Sequence, residues 1–449
     1  MTNKGLPSLV WIIVGFIILE FSDTVLYLIQ PLFFPTLLRI IGLAIILFNL
    51  AKSSFTRLNS SIRPVFNFMI AWSVLMVLRG SLVGNFLPGQ PASLVTAIRH
   101  ALLDPYGAFA LFIPLVALIK FNNRSLFFLG RIALVLCVLA LGITFYSRNE
   151  IAVGMVTGGN TSIVDSEGNY LSVRSLIHAA YPGFGLIVFG LFCYNYIKNK
   201  LTIILPISIF VFFISYAIGG GRGMTVFSLL YLLIFFYLVY KYPIVSQGKI
   251  QNSGQTRFFR RTSSLILISG FVFLLVYLFN STEVFDFVLE RAFGGKTLDG
   301  DFQNDSRNVL VDAMKLDFNN HPLDWIWGRG VNGSYHTTHL SIGGQRAWME
   351  ISYYYLILKG GIIYLFLFVY CLAHAMYLGL FKSHNVFSKV LGIMCGVLLI
   401  NLASASAIPQ YSTLFLISWL CFGLVERREI RMMSDSDVYG YFNIKNYKA

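Results

Sequence analysis

The chain has 449 residues, of which 56% are hydrophobic, 16% aromatic and only 12% charged. So little charge, spread between long apolar runs, excludes a set of soluble domains and places the chain among polytopic membrane proteins. The formal net charge of +14 does not point to nucleic acid, because lysine and arginine gather at alternate ends of the apolar runs, as the positive-inside rule requires.

The runs are continuously apolar rather than alternating, which selects α-helices over a barrel. A window of about 19 residues divides the chain into about twelve spans, near 8–26, 33–51, 66–86, 104–120, 126–146, 177–197, 201–218, 223–241, 263–280, 352–379, 387–404 and 409–425. The expected fold is therefore an all-α polytopic membrane protein. The N-terminal stretch carries Lys4 before its apolar run and no small-x-small cleavage pattern after it, so it reads as a retained first helix. Lys52, Arg57 and Arg63 follow the second span, Lys120 and Arg124 the fourth, and Lys198 and Lys200 the sixth. Lys241, Lys249, Arg257, Arg260 and Arg261 follow the eighth, Lys382 and Lys389 the tenth, and Arg427, Arg428 and Arg431 the last. Every even-numbered exit is basic, which puts both termini in the cytoplasm. Cys137, Cys193, Cys371, Cys395 and Cys421 all fall in apolar runs, so there is no disulfide framework and no CxxC metal pair.

The opposite face carries two long loops, near 147–176 and 281–351, which hold most of the acidic residues. The second loop sets the domain organisation: helices 1–9 over 1–280, the large loop over 281–351, helices 10–12 over 352–426, and a cytoplasmic tail over 427–449. Trp325, Trp327, Trp348 and many other apolar residues mark this loop as folded. Its stretch "NDSRNVLVDAMKLDFNNHP" (304–322) opens on capping residues, spaces Val309, Leu310, Ala313, Met314 and Leu316 as on a helix face, and stops at Pro322. It predicts a short helix lying on the membrane surface. "GRGVNG" (328–333) follows as a turn-rich segment. No internal repeat of the kind that marks secondary transporters is visible.

Arg222, in "ISYAIGGGRGMTVFSLL" (213–229), lies on the outer side, where the positive-inside rule disfavours it. Gly219, Gly220, Gly221 and Gly223 surround it and let another group approach the backbone. With the helix N-terminus that follows, the segment reads as a phosphate site, or else as a tight interhelical turn whose arginine snorkels to lipid headgroups. Arg307 opens the loop helix, and Arg329 and Arg346 add further outer cations. His336 and His339 stand at i, i+3 spacing without a recognisable third ligand, which fits solvated histidines better than zinc. Glu350 stands where the loop re-enters the membrane, either as an arginine's partner or as a general base.

A glycine-flanked arginine, then a large outer loop with "SRNVLVDAMKLDFNNHPLDWIWGRGVNGSYH" (306–336), then "EISYYYLILKGGIIYLFLF" (350–368) with its glycine pair, resembles the O-antigen ligase and polymerase superfamily. The resemblance covers roughly residues 200–380 by motif and the whole chain by topology. It implies a GT-C-type glycosyltransferase of the bacterial inner membrane, independent of metal or other cofactor, acting at the periplasmic face. The substrates it implies are undecaprenyl-diphosphate-linked oligosaccharides, with a chain-length regulator as a further partner. The two diphosphate-binding arginines of the family map onto Arg222 and Arg307. Where the ligases carry a histidine ahead of the helix glycine, this chain has Glu350. That departure favours a Wzy-type repeat-unit polymerase over a ligase that transfers the glycan to lipid A core; a lipid-linked sugar flippase is the non-enzymatic rival. On this reading Glu350, or His339, takes the acceptor proton, and Arg329, His336, Arg346 and Trp325 contact the glycan.

Overall fold

The computed structural model describes residues 7–28, 33–83, 101–104, 106–120, 123–148, 162–164, 170–172, 177, 180–197, 200–218, 222–242, 245–246, 249–250, 306–337, 344–403 and 408–442. The described residues are mostly helical, in the order α1 (Ser8–Leu28), α2 (Phe33–Lys52), α3 (Arg63–Val83), a 3-10 helix (Ala108–Leu118), α4 (Asn123–Tyr146), α5 (Phe184–Phe192), α6 (Ile204–Ile218) and α7 (Arg222–Lys241). There follow α8 (Ser306–Asn320), α9 (Leu323–Trp327), α10 (Ser352–Phe381), α11 (Val386–Asn401), α12 (Thr413–Val425), α13 (Arg428–Met432) and α14 (Asp435–Phe442). Small antiparallel hairpins interrupt the helices: β1 (Ser162–Val164) with β2 (Tyr170–Ser172), β3 (Val245–Ser246) with β4 (Lys249–Ile250), and β5 (Tyr335–His336) with β6 (Gln345–Arg346).

Among the described residues, five helices are long and apolar enough to cross a membrane: α1 over Ser8–Val25, α2, α4 over Arg124–Tyr146, α7 over Met224–Lys241, and α10. The 3-10 helix, the stretch Leu201–Tyr216, α11 and α12 are apolar but shorter. These helices fit a bilayer environment. The predicted span 263–280 lies outside the described residues. Within the predicted span 104–120, Ala108–Leu118 is a 3-10 helix containing Pro114, whose ring cannot donate to the α-helical ladder. Within the predicted span 177–197 the described residues Phe184–Phe192 form an α-helix, entered through Gly183 at φ 75°.

The chain divides into two compact units. One comprises residues 1–50, 122–299 and 433–449. In it α1 meets α2 at Gly15 and Gly42, where a side chain on either glycine would run into the other's carbonyl oxygen, at 2.8 and 2.9 Å. Arg39 of α2 is neutralised by Asp23 of α1 at 2.6 Å, as an ion among apolar helices requires. Tyr181, Phe184, Phe212 and Tyr231 form the aromatic centre joining α5, α6 and α7.

The other unit comprises residues 51–121 and 300–432, and the described part of the large loop belongs to it. Leu310, Val311, Met314 and Phe318 of α8 are buried with Tyr335, Met349, Tyr355, Ile357 and Leu358, so α8 packs onto the start of α10. The helix stands where the sequence predicts it, but its apolar face is rotated: Val309 and Leu316 are exposed, and Val311 and Phe318 are buried instead.

The link between loop and helix is a break in α10. Gly361 has φ 70° and ψ −176°, a conformation essentially restricted to glycine. A helix interrupted there leaves the carbonyls of its preceding turn without their usual donors. Arg329 N–H donates to Leu358 O and Gly330 N–H to Lys359 O, both at 2.8 Å. The indole N–H of Trp72 on α3 donates to Gly360 O at 2.8 Å, and Trp72 stacks on Trp327 with centroids 5.1 Å apart. Val331 N–H reaches Met76 O of α3 at 3.0 Å. The GRG turn thus plugs the broken helix. Such an approach tolerates no side chain: a Cβ on Gly328, itself at φ 67°, would lie 2.5 Å from Lys359 O, and one on Gly361 would lie 1.9 Å from Ile326 O.

Gly361→Ala is therefore expected to destabilise the protein by more than about 2 kcal/mol. Gly142→Ala, near the C-terminal end of α4 with nothing within 4 Å of the new methyl, should be neutral or stabilising by up to about 1 kcal/mol. Thermal melts of the two variants in nanodiscs check both; equal melting temperatures would contradict the packing described.

Candidate functional site

Arg329 projects from the GRG turn between two carboxylates. Its Nε donates to Asp324 Oδ2 at 2.7 Å, and its Nη1 donates to Asp317 Oδ2 at 2.6 Å and to the Ser334 carbonyl at 2.7 Å. Its guanidinium carbon lies 4.7 Å from the centre of the Phe318 ring. Arg79 of α3 completes the cluster, with Nη2 2.9 Å from Asp324 Oδ1. Asp317 stands on α8 and Asp324 on α9, so the cluster ties both loop helices to α3 and to the turn. Burial alone would raise the Asp317 carboxyl. Hydrogen bonds from Arg329 and the His336 backbone N–H, with the Arg329 charge, outweigh it and hold the carboxyl below its ordinary range.

These four charged side chains line a cavity of about 290 Å³, with His321 and Gln345 also on its wall. Ser334 Oγ donates to Gln345 Oε1 at 3.0 Å, fixing that amide from the β5–β6 hairpin. Behind the cavity, the Lys359 ammonium is buried and donates to Gly333 O at 2.8 Å and Ala347 O at 2.7 Å. It thereby pins the turn and the exit of the hairpin to α10.

Arg346, on β6, is 2% exposed. It donates from Nε to the Trp348 carbonyl at 3.2 Å, lies 4.8 Å from the centre of the Trp348 ring, and faces Glu350 Oε1 at 3.4 Å. Glu350 keeps 33% of its side chain exposed, so its carboxylate is held by a cation and still reaches solvent. His336 is exposed on β5. Trp325 packs edge-on to Phe318 at 5.4 Å and donates to Asn319 Oδ1 at 3.3 Å, as a member of the loop core.

Arg222 is the first residue of α7, in the first unit, and Arg307 is the second residue of α8, in the other unit. Each therefore lies in the first turn of a helix. Their side chains, and all of His339, lie outside the described residues, as do Gly219, Gly220 and Gly221. The structure brings Arg329 together with Arg79, Asp317 and Asp324, and pairs Arg346 with Glu350. Arg79, Asp317, Asp324, Gln345 and Lys359 are not singled out by sequence motif. The signal open to inspection was charge inside apolar runs, Arg79 in the third span and Lys359 in the tenth. Among the described residues, no three histidine, cysteine or acidic side chains cluster as metal ligands would.

Comparison of the chain with protein-family models, with curated proteins and with solved structures finds no match in any of the three.

Two outcomes follow from the Arg329 cluster. Arg329→Ala strands the largely buried Asp317 carboxylate, while Asp324 keeps Arg79, and should cost about 3 kcal/mol, read as a lowered denaturation midpoint. The Asp317 carboxyl is depressed in the folded state, so its stabilisation is complete above the unfolded value of about 4 and disappears as pH falls through the folded value. The wild-type melting temperature should therefore drop on acidification below about pH 4. Asp317→Asn should start lower at pH 7 and show a shallower acid limb; identical acid limbs would exclude this assignment.

Proposed function

We propose that the chain is a membrane glycosyltransferase of the repeat-unit polymerase kind, taking its donor glycan from undecaprenyl diphosphate at the outer face of the inner membrane. What supports the reading is the order of features along the chain. A glycine run leads into Arg222 at the start of α7, Arg307 falls in the first turn of α8, the GRG turn follows, and a glycine pair breaks α10. Helix N-termini carry partial positive charge and free N–H groups, and arginine matches phosphate oxygens with a planar fork that does not deprotonate.

In the reaction, an acceptor sugar hydroxyl attacks the anomeric carbon of the donor. The new C–O bond forms as the bond to the diphosphate breaks, and the lipid diphosphate leaves with the electron pair. Negative charge grows on the leaving group, and Arg222 and Arg307 lower the barrier by meeting it. The hydroxyl proton passes to a carboxylate, for which Glu350, steadied by Arg346 and open to solvent, is the assigned base. A single in-line displacement inverts the anomeric centre. Because the leaving group arrives activated, the step draws on no nucleotide. A chain-length regulator in the same membrane is the expected protein partner.

Arg222→Lys keeps the charge and loses the fork, whereas Arg307→Ala loses the charge. Each is expected to cut polymerisation by about 10²-fold or more, as removal of one transition-state donor does. The measurement is the ladder of products that purified protein makes from lipid-linked repeat units. Full-length polymer from either variant, present at normal membrane levels, would overturn the assignment. A deletion strain separates the two transferases: loss of a polymerase leaves single repeats attached, whereas loss of a ligase leaves polymer stranded on the carrier.

A further inference from the structure

We propose that the cavity bounded by Arg79, Asp317, Asp324 and Arg329 binds one uncharged sugar ring. Charge balance comes first. Two guanidiniums and two carboxylates line the same space, so their formal charges cancel. A diphosphate seated there would press its charge against Asp317 and Asp324, and a metal ion would face Arg79 and Arg329. A neutral polyol meets neither penalty.

Hydrogen-bonding capacity points the same way. Each sugar hydroxyl is both donor and acceptor, so a ring is best held by acceptor-only and donor-only groups side by side. The cavity supplies both. Asp317 receives the Arg329 side chain and the His336 amide on Oδ2, which leaves Oδ1 for a ligand. Arg79 keeps 36% of its side chain exposed and brings guanidinium donors to the cavity wall. Gln345 accepts from Ser334 through its oxygen and has its amide N–H groups to offer. The volume, about 290 Å³, sits at the small end of ligand cavities, which run from about 300 to 1,000 Å³. It suits one ring rather than an oligosaccharide. The ion pairs hold these groups in place before a ligand arrives, so binding does not have to order them. That the ring belongs to the lipid-linked glycan rests on the polymerase reading; that the cavity takes a sugar does not.

The test is saturation-transfer NMR on the purified protein in nanodiscs, with glucose, galactose and N-acetylglucosamine as probes and inorganic pyrophosphate as competitor. At least one sugar should take up saturation from the wild-type protein and keep it in excess pyrophosphate. His321→Ala with Gln345→Ala should reduce the signal at least fivefold without changing the melting temperature. Should that double variant melt lower, Gln345→Glu, which keeps an oxygen for Ser334 and loses the amide donors, is expected to show the same loss. Failure of all three sugars to bind, displacement by pyrophosphate, or an unchanged signal in the variants would overturn the proposal. The ladder assay keeps the two ideas apart. Arg222→Lys should abolish the ladder and leave sugar saturation intact. Sugar binding lost in the cavity variants, in a protein that makes no ladder, would sink the polymerase reading and leave this one standing.

Discussion

An unpaired backbone carbonyl is expensive inside an apolar structure, and the second unit is organised around meeting that constraint at one place. The break in α10 at Gly361 exposes the carbonyls of Leu358, Lys359 and Gly360, and the loop returns to cover them. Two amides of the GRG turn and one indole N–H supply the donors. The loop is therefore not merely laid over the helices, because its backbone completes the hydrogen bonding of a broken one. Removing the turn would leave buried acceptors unmatched, each costing about 1–3 kcal/mol.

Arg329 serves both halves of this arrangement. Its main-chain N–H caps Leu358, while its side chain gathers Asp317 and Asp324. The position of the cluster is thus inherited from the break in α10. Lys359 repeats the theme in reverse. It sits on the helix, and its ammonium reaches the carbonyls of Gly333 and Ala347 on the loop. Cavity walls fixed from both sides in this way are suited to holding polar groups at set separations, which is what selective binding of a hydroxylated ring requires.

The charged pairs of this unit differ in weight. Lys315 and Asp312, on the exposed face of α8, are 45% and 71% exposed at 3.2 Å and contribute no more than about 0.5 kcal/mol. Arg329 and its two carboxylates are about 15% exposed, with every charge answered at hydrogen-bond distance. Loss of Arg329 there leaves Asp317 without its cation in a poorly solvated space. Arg427 belongs with the buried group. It marks a basic helix exit in the sequence, yet its Nη2 donates to Ile119 O at 2.5 Å and closes the end of the 3-10 helix, a capping role that a count of basic residues does not disclose.

The sequence by itself determined the apolar, helical character of the chain and the places of its long helices α1, α2, α4, α7 and α10. Apolar runs, caps and Pro322 located α8, because each of these signals is local and acts through the residue's own backbone or its near neighbours, whereas the break at Gly361 inside the predicted span 352–379 appears only in the fold. The sequence also flagged Arg329, Arg346 and Glu350 as charges worth following. Only the tertiary structure decided what they meet. Arg79 and Asp324 lie 245 positions apart, and Trp72 and Gly360 288 apart, so no spacing in the chain announces either pair. The rotated face of α8, with Val311 and Phe318 inside and Leu316 outside, was settled by packing onto α10. The 3-10 form of Ala108–Leu118 accompanies Pro114 and close packing on α12, where a Cβ at Gly423 would lie 2.3 Å from Ala117 O. Period and propensity act over a few residues; burial and ion pairing act between segments that the fold must first bring together.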